Sequence, residues 1–156
     1  MKLFSFCSVF RDGKITRIGS APMIIIVCLD KKQGMMFGDR RQSKDRTLRQ
    51  RILQMCEGKK LWMNGYSYKQ FQEDSGNISV AEDFLDKAGE GEYCFVENVE
   101  LKPYLKKIEQ IIVYHWNRQY PSDQKIDIDL KKWKRKSIED FQGNSHKKIT
   151  EEVLEP

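Results

Sequence analysis

Apolar residues fall in short blocks along this chain, and the spacing inside each block says what it builds. Residues 23–29 are apolar at every position and run into Asp30-Lys31-Lys32-Gln33-Gly34, the pattern of a strand covered on both faces near the centre of a sheet. Residues 35–37 form a short apolar segment suited to pair with it. Residues 1–10 are β-prone, Asp12-Gly13 is a hairpin turn signal, and residues 14–18 return as a second strand. Over residues 44–57 the period changes. Leu48, Ile52, Met55 and Cys56 recur at helical spacing, Ser43 stands where a cap is needed, and Gly58 closes the segment.

Shorter blocks follow. Residues 61–63 read as a strand, Ser67 caps a brief helix ending at Phe71, and Ser75-Gly76-Asn77 is a turn. Residues 80–87 predict a short acidic helix stopped by Ala88-Gly89, and residues 93–96 a strand. Pro103 opens a helical turn that feeds a strand over residues 111–116. Residues 125–130 alternate, with Ile126, Ile128 and Leu130 on one face and Lys125, Asp127 and Asp129 on the other. Residues 147–154 predict a final helix. Neither repeats nor linkers interrupt the pattern, so the expectation is one α+β domain over residues 1–156. Its mixed, mostly antiparallel sheet is packed by the main helix 44–57 and shorter helices, and its last few residues are disordered.

Composition narrows the class. With 156 residues, 39% hydrophobic and 33% charged, the chain is long enough for a core that needs no staples. The four cysteines, Cys7, Cys28, Cys56 and Cys94, sit apart among apolar neighbours and read as reduced core residues. No apolar run reaches the roughly 18 residues of a spanning helix, and the N-terminus lacks the form of a secretion signal. A cytoplasmic protein without a membrane partner is expected.

The net charge of +5 hides sorted blocks. Residues 31–69 carry 11 Lys or Arg against 3 Asp or Glu, residues 70–100 carry 1 against 9, and residues 101–136 carry 10 against 4. If the acidic block lies beside a basic one they neutralise each other; if the basic blocks converge they attract phosphates.

Candidate chemistry starts from the Gly38-Asp39-Arg40-Arg41-Gln42-Ser43-Lys44-Asp45-Arg46 turn, which leads into the main helix. Arg40, Arg41, Ser43 and Arg46 make a phosphate or carboxylate clamp, unless Asp39 and Asp45 simply satisfy the arginines. Asn117 and Arg118, in the loop after the 111–116 strand, could add stacking and hydrogen bonds to an anion, or form only a hairpin loop. His146 lies in the polar Gly143-Asn144-Ser145-His146-Lys147-Lys148 loop and is the better histidine for proton transfer, whereas His115 ends an apolar strand and reads as structural. Glu97, directly after a strand, and Lys147 complete a catalytic set. Asp127 and Asp129 share a strand face, but alternating acids beside Lys125 are ordinary solvation, so neither a metal nor another cofactor is expected. P-loop, dinucleotide glycine fingerprint, GxSxG and HExxH motifs are all missing from the sequence.

The leading expectation is a protein that binds RNA or another phosphate-bearing ligand, in its strongest form a metal-independent ribonuclease using His146, Glu97 and Lys147. The alternatives are a protein-interaction module of the antitoxin or immunity type, and a small-molecule enzyme acting on an anionic substrate.

Overall fold

The computed structural model describes residues 8–11, 14–17, 22–71 and 76–156. Cys7, the Asp12-Gly13 turn and Ser75 lie outside the described residues. Ser8–Arg11 (β1) and Lys14–Arg17 (β2) pair antiparallel as a ribbon. The following strands are Met23–Leu29 (β3), Gly34–Phe37 (β4), Arg40–Arg41 (β5), Leu61–Met63 (β6), Ile78–Val80 (β7), Glu92–Phe95 (β8), Ile108–His115 (β9), Gln124–Lys125 (β10), Lys134–Phe141 (β11) and Ile149–Glu155 (β12). Helices span Arg46–Met55 (α1), Gly65–Tyr68 (α2) and Phe84–Lys87 (α3), with 3-10 turns at Lys102–Lys107 and Leu130–Lys132.

Among the described residues, seven strands form one sheet in the order β11-β12-β9-β3-β8-β6-β7. From β9 to β7 every pairing is parallel; only the two pairings of β12, with β9 and with the edge strand β11, are antiparallel. This corrects the expected mostly antiparallel sheet: the fold is α/β, with a largely parallel sheet. The physical reason lies in β3, whose alternate residues serve two different cores. Met23, Ile25, Val27 and Leu29 pack with α3 residues Phe84 and Leu85 and with Ile126, Ile128 and Leu130. Ile26 packs on the other face with Leu48, Ile52 and Leu53 of α1. Cover on both faces is the condition of a parallel sheet joined by crossovers.

Several elements differ from their expected form. Residues 35–37 fall within β4, which pairs with β10 and β5 in a small separate sheet instead of with β3. Of the alternating 125–130 segment only Lys125 joins a ladder, as part of β10. The segment's isoleucines are nonetheless buried as a loop laid over the sheet. Residues expected as a closing helix form β12, held between β9 and β11. The acidic 80–87 helix shrinks to the single turn α3, preceded by β7. Helix α1 is shorter than expected, and its cap is Asp45, whose side chain accepts from Leu48 N.

Candidate functional site

In a parallel sheet all carboxyl ends open onto one rim, and ligands settle where the chain order switches sides. Here β3 is flanked by β8 on one side and β9 on the other, so the switch lies beside β3. Polar residues gather directly after these strands: Asp30 after β3, Asn64 after β6, Glu97 just beyond β8, and Trp116 and Asn117 after β9. Asp30 organises the rim. It accepts from Lys32 N, Gly34 N, Tyr120 N and Gln42 Nε2, which outweigh the cost of its burial and hold its carboxyl below the usual range.

One cluster centres on Glu97. Arg41 grips it in a fork, Nε to Oε2 at 2.9 Å and Nη2 to Oε1 at 3.1 Å, while Ser67 Oγ donates to Oε1 at 2.8 Å and Gln70 Nε2 to Oε2 at 2.9 Å. The Arg41 guanidinium also lies 4.4 Å from the Tyr66 ring centre and donates to the Tyr66 carbonyl. Burial works against the charge of Arg41, but its bonds to Glu97 and the Glu97 charge outweigh this and raise its pKa. Both groups are therefore committed to each other.

The second cluster centres on Asp45, which is buried. Its Oδ1 accepts from Leu48 N and Asn144 N, each at 3.0 Å, and its Oδ2 from Ser145 N at 2.7 Å. Burial alone would raise its pKa, yet these backbone donors and His146 hold the carboxyl far below its ordinary range. His146, 4% exposed, places Nδ1 at 3.2 Å from Asp45 Oδ2. Its ring stacks on Trp116 with centres 4.5 Å apart. Because a carboxylate only accepts, the neutral ring carries its proton on Nδ1 and leaves Nε2 as the acceptor. That lone pair faces two hydroxyls, Ser43 Oγ at 3.2 Å and Tyr120 Oη at 3.0 Å.

Between the clusters lies a small, partly open cleft whose walls include Cys28, Ser43, Arg49, Gln70, Phe95 and Trp116, with Asp45 and Glu97 contributing at either side. Burial pushes the Cys28 thiol well above its ordinary pKa, so it is an inert wall.

Of the residues singled out from sequence, Ser43 and His146 come into direct contact, and Glu97 and Arg41 pair at one side of the cleft. Arg40, Arg46, Arg118 and Lys147 are exposed outside it. Asn117, at φ 60°, ties its turn to the loop before β12 by donating to Lys148 O and Thr150 Oγ1. Asp127 and Asp129 accept from backbone N–H groups at the starts of the two 3-10 turns. His115 bonds Glu152. Asp45, read from sequence only as a partner for the arginines, and Trp116 and Tyr120, read only as part of the loop around Asn117 and Arg118, were not placed in the site. Asp45 carried one usable signal, its place immediately before the first helical turn.

No family model and no curated protein sequence matches the chain. Among solved structures, dihydrofolate reductase from Enterococcus faecalis, in complex with NADP(H) and RAB-propyl, is similar to it with a TM-score of 0.62 at 9% identity, over 86% of this chain and 95% of that one. The fold is therefore dihydrofolate reductase-like. This overturns the expectation of an RNA-binding protein or ribonuclease: the likeness is to a small-molecule enzyme, and the arginines, histidine and glutamate of that scheme do not form one phosphate site. Among the described residues no helix is long and apolar enough to cross a membrane.

Proposed function

We propose that this chain is a small-molecule enzyme whose ligand occupies the cleft at the carboxyl ends of β3, β8 and β9, with His146 as the group that accepts a proton. The observation that carries this reading is the Asp45–His146 pair, which sets Nε2 within hydrogen-bond reach of Ser43 on the cleft wall. A carboxylate that fixes the tautomer of a histidine makes its second nitrogen a competent base.

The reductase it resembles was solved with NADP(H), and the residues here do not fit such a group. The cleft is far smaller than the roughly 300–1,000 Å³ that encloses drug-sized ligands. The N–H groups that would meet a pyrophosphate are taken: Leu48 N by Asp45, Ser67 N by Asn64 and Gly65 N by Glu82. Two carboxylates, Asp45 and Glu97, would also face the phosphate charge.

The same arrangement argues for an uncharged ligand over an anionic one. Arg41 is neutralised by Glu97, and Arg49, the guanidinium on the wall, is engaged as well. Fragment soaking of crystals tests the reading. Small neutral fragments should bind between Ser43 and Phe95 in the wild type and vanish when Ser43→Trp fills the cleft. Fragments found only elsewhere on the surface would remove the basis for this site.

A further inference from the structure

We propose that Ser43 is a nucleophile, activated by His146 and Asp45, and that the substrate class is a small uncharged carboxylic ester. The inference rests on the cleft being a ligand site and adds the reaction performed there. Asp45 Oδ2, His146 Nδ1, His146 Nε2 and Ser43 Oγ form a continuous chain, with 3.2 Å at each of its two hydrogen bonds. Such a triad is recognised by geometry and role, independent of fold and residue order. Each member is held by something else. Asp45 is fixed by three backbone N–H groups, and His146 by its stack on Trp116. Ser43 is half-buried and lines the cleft.

The reaction balances without any further reagent than water. Ser43 Oγ attacks the ester carbon as its proton passes to His146 Nε2. The bond to the alcohol oxygen then breaks, and that oxygen leaves with the proton from the imidazolium. Water attacks the acyl-Ser43 ester, gives a proton to Nε2, and releases the carboxylic acid as Ser43 recovers its hydrogen. Asp45 remains ionised throughout, stabilising the imidazolium.

Tyr120 gives the arrangement a distinguishing feature. Its hydroxyl competes with Ser43 for the same Nε2. Removing it leaves the nitrogen to Ser43 alone, so Tyr120→Phe should increase the nucleophile's reactivity, whereas a merely structural hydrogen bond would give no such gain.

The experiment is covalent labelling of the intact chain with an uncharged fluorophosphonate, which loses fluoride when a serine oxygen attacks phosphorus. We expect one adduct by mass spectrometry, mapped to Ser43, lost in Ser43→Ala, slowed about 10³-fold or more in His146→Gln, and faster in Tyr120→Phe. An unlabelled wild type, or an adduct mapped to another residue, overturns the proposal. Because the decisive result comes from the wild-type chain, a variant that misfolds does not obscure it. If neutral fragments still occupy the cleft while Ser43 stays unlabelled, the nucleophile fails and the small-molecule site stands. If neither is seen, both fall.

Discussion

At the scale of single residues, Asp45 does more than any other side chain near the cleft. It caps α1, accepts the N–H groups of Asn144 and Ser145, and orients His146. Sequence reasoning placed the cap at Ser43 because serine and aspartate serve equally well at that position, and only the distant 143–146 loop decides between them. Replacing Asp45 with Ala removes a cap worth about 1 kcal/mol and leaves two loop donors unsatisfied at about 1 kcal/mol each, so a loss of about 3 kcal/mol is expected in urea unfolding. The pH dependence has a definite sign. The folded pKa lies below the unfolded value of about 3.9, so the stabilisation is complete above that pH and declines as pH falls beneath it. The stability gap between wild type and Asp45→Asn should therefore narrow steadily below about pH 4. A gap that stays constant into strong acid would mean that the ionised carboxylate is not what holds the loop.

At the scale of elements, the readings that held were those set by local pattern. The all-apolar 23–29 block is β3, and the helical spacing of Leu48 and Ile52 is α1. The readings that failed depended on partners distant in sequence. Ile126, Ile128 and Leu130 alternate like a strand, yet that alternation reports which side chains are buried, while Asp127 turns aside to bind Leu101 N and Lys102 N. Residues 149–155 carry the acidic pair of a helix but become β12, because two strands lie ready to pair with them. The loop joining β11 to β12 shows the same dependence on distant atoms. A Cβ on Gly143 would sit 2.6 Å from Asp45 Oδ2 and 2.8 Å from Ile149 Cδ1. Neither neighbour has room to yield: Asp45 is held by the loop itself, and Ile149 is fully buried. Gly143→Ala should cost about 2 kcal/mol, whereas Asn144→Ala, on the exposed next residue, should stay within about 0.5 kcal/mol. Equal unfolding midpoints for the two variants would contradict the close packing of this loop on Asp45.

At the scale of the whole molecule, strand order is what the sequence concealed. Strand β8 inserts between β3 and β6, and β9 crosses to the far side of β3, an arrangement that no local period encodes. The same order leaves two sheet edges, protected in different ways. At one end β7 is only three residues long, Ile78–Val80, which offers little to pair with. At the other, β11 runs for eight residues from Lys134 to Phe141, exposed on both faces, with Ile138 50% exposed at its middle. A strand of this length and exposure invites a second chain. Two features oppose that pairing: the charged start Lys134-Arg135-Lys136, and an irregularity in the ladder between Arg135 and Ser137 that breaks the flat register. Arg135 is held by Glu152, leaving Lys134 and Lys136 as the charges to change without disturbing that ion pair. The double variant Lys134→Thr, Lys136→Thr keeps strand-forming residues while removing the repulsion, so its mass by multi-angle light scattering should rise with concentration well beyond that of the wild type. Adding Ile138→Lys to the same chain restores a charge at the centre of the edge and should reverse the association. If the double variant matches the wild-type mass at every concentration, the lysines do not guard this edge and the backbone irregularity alone must do so.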